Sequence, residues 1–165
     1  MAEVASVDYE VLANRLQVVR RPLRVAFGAA CVGRILIIHE LCKSDGPTEA
    51  LEEALSLAWV FASGAAPYPD PELGGRSEHC ACSAVACALD VLFDERGKSA
   101  ALAATWALQT ISNMGDEEGV AEEAEWHERA LAIVEDWPEG RTIDPQMFDP
   151  ISETEPAWRT RWVES

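Results

Sequence analysis

The stretch Arg21 to Lys43, RPLRVAFGAACVGRILIIHELCK, limits what this chain can fold into more than any other. At 100° per residue, Val25, Ala29, Val32, Leu36 and His39 line one side of a helix. Phe27, Cys31, Ile35, Ile38 and Cys42 line roughly the opposite side. A helix apolar on two sides belongs in the middle of other helices. Pro22 sits in the first turn, where its missing N–H does no harm. A membrane span is excluded, because Arg24, Arg34, His39 and Glu40 fall within the apolar run. Each such charge costs roughly 2.5–3.5 kcal/mol at a bilayer centre. Lys43 to Pro47, KSDGP, then breaks the helix.

The rest of the chain supplies the neighbours that this helix needs. Asp8 to Val19 reads as a short first helix, and Pro47 to Gly64 as an amphipathic third one. The third carries Glu49, Glu52 and Glu53 in its first turns, where the helix dipole favours acids. Gly64 to Arg76, GAAPYPDPELGGR, is a loop. Ser77 caps a fourth helix, Glu78 to Arg96, and Gly97 stops it. Ala-rich Lys98 to Gly115 is the fifth helix, and a sixth runs from about Gly119 to Trp137, before Pro138. The expected fold is all-α: a single compact bundle of five to six helices over residues 1–137, with the second, fourth and fifth central. Residues 138–165 hold four prolines and read as a mostly irregular tail that packs on the domain or on a partner. One turn of helix is expected at Ala157 to Trp162, placing Trp158 and Trp162 on one face.

Charge narrows the function. The net charge is -16, and it is uneven: residues 1–75 carry 6 Lys/Arg against 10 Asp/Glu, residues 76–165 carry 7 against 19. Such a chain repels nucleic acid and anionic membranes and suits a basic protein partner. The opening MAEVASVDYE has neither the basic nor the apolar region of a signal peptide. Five cysteines, an odd number, then point to reduced thiols in the cytoplasm.

Asn113 to Trp137 holds nine acidic side chains and one basic one. On the sixth helix Val120, Ala124, His127, Leu131 and Val134 form one apolar stripe, and Trp126, Ala130, Ile133 and Trp137 a second. Glu122, Glu125, Glu128, Glu135 and Asp136 point the other way, so amphipathicity alone explains much of the acidity. The excess over what solubility needs makes Glu118, Glu122, Glu125 and Glu128 the candidate partner-binding face, with Trp158 and Trp162 as aromatic anchors. Glu123 falls between the apolar stripes, one turn before His127. Arg34 is the matching charge inside the second helix, so a buried structural Arg34–Glu123 pair, joined by His127, satisfies both. The basic cluster Arg15, Arg20, Arg21 and Arg24 answers the acidic helix within the fold.

No catalytic residue is expected: there is no nucleophile elbow, no phosphate loop and no Cys–His pairing. His79, Cys80, Cys82 and Cys87, with His39 and Cys42, invite a metal reading. Their spacing departs from paired zinc knuckles, and Cys80 and Cys82 point about 200° apart on a helix. Cysteine packs readily as a small hydrophobe, so no cofactor or metal is expected, and Cys31, Cys80 and Cys87 are expected buried and reduced.

LRVAFGAACVGRIL, EHCACSAVACALDVLFD followed by SAALAATWALQTI, and EEAEWHERALAIVEDW together resemble an all-helical bacterial family of unknown function. The layout, over about residues 20–137, is similar to all-helical immunity proteins of polymorphic-toxin systems. The resemblance implies a cytoplasmic protein that silences a sibling toxin by binding it, with no catalytic residue. The cysteine richness and the Pro-rich tail depart from that layout. Two other readings compete: an acidic nucleic-acid mimic that inhibits a DNA- or RNA-binding protein, and a small metal or redox protein built on the Cys/His cluster.

Overall fold

Pro22 presets a helical φ for the first turn, and from Arg21 the chain is helical to Arg34. The computed structural model describes residues 9–36, 48–64, 98–113, 115–153 and 155–164, and their regular structure is entirely helical. The helices are α1 (Tyr9–Gln17), α2 (Arg21–Arg34), α3 (Thr48–Ala62), α4 (Lys98–Asn113), α5 (Glu117–Glu135), α6 (Asp149–Ser152) and α7 (Ala157–Glu164), with one 3-10 turn, Pro145–Phe148, before α6. The fold is an all-α bundle. The expected fourth helix, with His79, Cys80, Cys82 and Cys87, lies outside the described residues, as do His39 and Cys42.

The two-sided apolar pattern places α2 in the middle. It packs against α3, α4 and α5, and Val25, Phe27, Ala29, Cys31 and Val32 are all buried. The helix ends at Arg34 and Leu36 is helical again, while Ile38, His39 and Cys42, which the periodicity assigns to the same helix, lie outside the described residues. Ile35 turns its N–H to the Val32 carbonyl, directly after Gly33, a weak helix former. Arg24 is buried and donates to the Val19 carbonyl at 2.8 Å, in the link between α1 and α2.

α4 is the spacer of the bundle. Ala100, Ala101, Ala103, Ala104 and Ala107 are buried, so α1, α2 and α5 all reach it without bulky side chains between the backbones. Its other side carries Leu102 and Trp106, each 40% exposed.

α5 begins two residues earlier than the stripe of apolar positions alone indicates. Asp116 accepts the Gly119 N–H at 2.8 Å and caps the helix, and Glu117 and Glu118 occupy the first turn, where the dipole favours them. Beyond α5 the tail turns at Gly140, whose φ of +84° suits glycine. It then packs on the domain. Asp144 caps the 3-10 turn by accepting the Gln146 N–H, and Ile143, Met147 and Phe148 are buried. The Phe148 ring meets Trp126 at 5.8 Å and Trp59 at 6.3 Å between centroids. The expected single turn near Ala157 is a full helix, α7.

The alanine stripe sets a sharp contrast for mutation. Ala103→Leu overpacks the α4 interface and should lower unfolding free energy by about 1–3 kcal/mol. Leu102→Ala, on the exposed side one residue away, should stay within about 0.5 kcal/mol. Urea melts of the two variants check this.

Candidate functional site

The acidic helix poses two separate problems: one carboxylate points inward, and the others crowd outward. Glu123 is fully buried. A buried carboxylate needs charge and hydrogen bonds to replace its water. Arg34, at the end of α2, donates Nε to Oε1 at 2.5 Å and Nη2 to Oε2 at 2.9 Å, a two-pronged pair. The same guanidinium lies 4.2 Å from the centroid of the Trp126 ring, so its free face is covered by an aromatic one. A third donor comes from the tail, where the indole N–H of Trp158 reaches Glu123 Oε2 at 3.0 Å.

His127 joins this cluster by proximity. Its Nε2 lies 3.7 Å from Glu123 Oε1, beyond a good hydrogen bond, and neither ring nitrogen has a partner among the described residues. Phe27 and Trp126 meet its ring edge-on. Burial pushes its pKa down to about 4, against the pull of Glu123, so the imidazole is neutral near pH 7. Cys31 is a free, buried thiol, and burial first, then the Glu123 charge, push its pKa well up. It is an unreactive thiol.

The outward carboxylates are largely engaged within the fold. Arg15 of α1 donates Nη1 to Glu128 and Nη2 to Glu135, both at 2.6 Å, tying α1 across α5. Those bonds, led by the one to Glu135, raise the Arg15 pKa. Arg129 bonds Glu125 one turn away at 2.8 Å. Arg161 of α7 forks onto Asp116 at 2.8–2.9 Å, and its pKa is raised by that bonding first. Glu122 accepts the backbone N–H groups of Ala157 and Trp158 at 3.2 and 3.3 Å, capping α7. Glu117 and Glu118 stand exposed at the start of the helix, and Asp136 at its end.

The structure therefore divides the residues picked from the sequence. It brings Arg34, Glu123 and His127 together, but His127 is a neighbour of the pair and not a hydrogen-bonding member. Glu118, Glu125 and Glu128 are exposed, while Glu122 is half-buried and occupied. Trp158 requires a correction. It is fully buried and bonded to Glu123, so it anchors the tail to this chain and is not an external aromatic anchor. Its polar indole edge is what the interior carboxylate lacked. Trp162 belongs to α7, and its side chain lies outside the described residues. Sequence reasoning missed Glu122 and Asp116 as the seat of α7. The signal was present: a tail reading AWRTRW is basic and aromatic, complementary to an acidic helix in the same chain.

Among the described residues no group of three or more His, Cys, Asp or Glu is placed to hold a metal ion, and no helix is long and apolar enough to cross a membrane. Comparison with protein-family models, curated proteins and solved structures finds no match in any of the three.

Two measurements probe the buried cluster. Arg34→Ala strands a buried carboxylate and should cost about 3–5 kcal/mol in a denaturant melt. The second uses pH. His127 titrates near 6.5 when unfolded and about 4 when folded, so between those values the unfolded chain holds the extra proton. His127 therefore contributes a loss of stability as pH falls from about 6.5 to 4, on the order of 3 kcal/mol in all. His127→Phe should flatten that part of the stability profile, and an unchanged slope would show that the imidazole titrates normally.

Proposed function

We propose that this chain is an immunity-type binding protein that neutralises a basic partner, a toxin domain, by occluding its surface. One observation carries the reading. Between Asp116 and Asp136, nine carboxylates are answered, among the described residues, by four arginines, Arg15, Arg34, Arg129 and Arg161. The excess is carried at the surface, with Glu117, Glu118 and Asp136 exposed and Glu125 and Glu128 only partly screened. Such a field raises the capture rate of a cationic partner and rejects nucleic acid and anionic lipid. Binding, with no chemistry, is the role that fits a cluster whose buried groups are all engaged or neutral. The layout of small-residue helices and a closing acidic Trp helix supports the immunity reading over the other binding roles, and it implies a cytoplasmic protein.

The nucleic-acid mimic is the weaker alternative. Mimicry asks for a regular outward row of carboxylates, and Glu122, Glu123 and Asp116 are turned to the chain's own helices.

The test has two parts. The reading frame adjacent to this gene, expressed alone, should arrest bacterial growth, and co-expression of this chain should restore it. With that partner purified, Glu117→Lys/Glu118→Lys/Glu125→Lys should fold normally and lose about tenfold or more in association rate at low salt, with a smaller loss at high salt. An association rate unchanged at both salt concentrations would remove the charged face from the mechanism.

A further inference from the structure

α7 is bound as a ligand is bound. It meets the domain through α5. Of its described side chains, Trp158 alone is buried, while Ala157, Arg159, Thr160 and Arg161 are exposed. Among the described residues its hydrogen bonds to α5 are carboxylate contacts: Glu122 on the two leading N–H groups, Glu123 on the indole, Asp116 on Arg161. The groove floor is Gly119. A Cβ there would stand 2.8 Å from the Trp158 Cβ and 2.8 Å from Asp116 Cγ, so the ring's seat exists because that position has no side chain. Asp116 and Gly119 are one turn apart, and the adjacent pair Glu122 and Glu123 lies one turn further on, all toward one side of the start of α5.

We propose that this groove is the docking site for a basic, aromatic helical segment of the partner, and that α7 is its resident occupant, displaced on binding. The partner segment presents a Trp, an Arg three residues later, and free N–H groups at its own helix start. Displacement opens the Trp158 seat, and Glu123 keeps both bonds to Arg34 when the indole departs. It also frees Asp116 and Glu122 from α7, so that two further carboxylates meet the cationic partner segment. In the segment leading into α7, Glu153 and Glu155 are exposed, and among the described residues Glu155 pairs within the tail, with Arg159 at 3.3 Å. The inference rests on the reading of this chain as a binding protein.

The experiment uses the full chain and a fluorescent peptide of sequence PAWRTRWVES, residues 156–165. The resident helix competes at high effective concentration, so the wild-type chain should bind the peptide at least about tenfold more weakly than the Trp158→Ala chain. A peptide with alanine in place of its first Trp should not bind either chain. A folded Trp158→Ala chain that binds no more peptide than wild type overturns the proposal. Hydrogen exchange on the wild-type chain decides the matter if that variant does not fold. The α7 amides should exchange about a hundredfold faster than those of Val25 to Val32, at a rate independent of low urea. Exchange of α7 in step with α2 would make it an integral part of the core and overturn the proposal. Neither arm needs the toxin, so a failed growth rescue and a failed displacement are separate results.

Discussion

The carboxylate of Glu123 has no solvent, and much of the bundle's geometry follows from supplying what water would have given it. Three donors reach it from two elements far apart in sequence, α2 and α7. A buried ion pair is a poor source of net stability, because desolvation offsets most of the attraction. Its effect is on geometry. Apolar faces tolerate a range of rotations about a helix axis, whereas a two-pronged guanidinium–carboxylate contact accepts one. Arg34 thus fixes the rotation of α2 against α5, and the Trp126 ring over the guanidinium removes the remaining freedom. The indole of Trp158 then fixes where the tail returns.

The legible part of this arrangement was the part written in one helix at a time. Two apolar stripes on one segment dictated a central helix, and α2 is central. An inward Glu on α5 and an inward Arg on α2 each violated its own stripe, and two violations of opposite sign name each other. The third donor was hidden because it lies in a segment with little periodicity. Trp158 reads as an anchor for a partner only if one arginine satisfies the carboxylate. Two carboxylate oxygens accept about four hydrogen bonds, so a buried Glu still had capacity for an N–H from elsewhere. The start of α5 was misplaced for a similar reason. Apolar periodicity marks where a helix becomes buried, while the cap, here Asp116, marks where it begins.

The short stretch around Gly119 shows how one missing side chain links these levels. Glycine is a weak helix former, and Gly119 stands in the first turn of α5. Here the close approach of Trp158 and Asp116 excludes a Cβ, so the local penalty is the condition for docking the tail. The same residue lets Asp116 serve two roles. It caps α5 through the Gly119 N–H, and it receives the fork of Arg161. The cap of one helix is therefore also the clamp of another.

The acidity of α5 divides between these internal duties and the solvent, and the division argues against solubility as its cause. A helix that needed only to be soluble would place Lys or Arg one turn after each Glu, since such pairs stabilise the helix and like charges destabilise it. Within α5 only Glu125 and Arg129 follow that arrangement. The other counter-charges, Arg15, Arg34 and Arg161, come from three other helices, so the helix is neutralised by its tertiary neighbours where they touch it and left negative elsewhere. Self-repulsion of this kind lowers stability and is tolerated here in a fold whose interior already holds one charged pair. On the proposed binding function, a cationic surface would supply the missing positive charge, and association would relieve the repulsion that folding leaves in place.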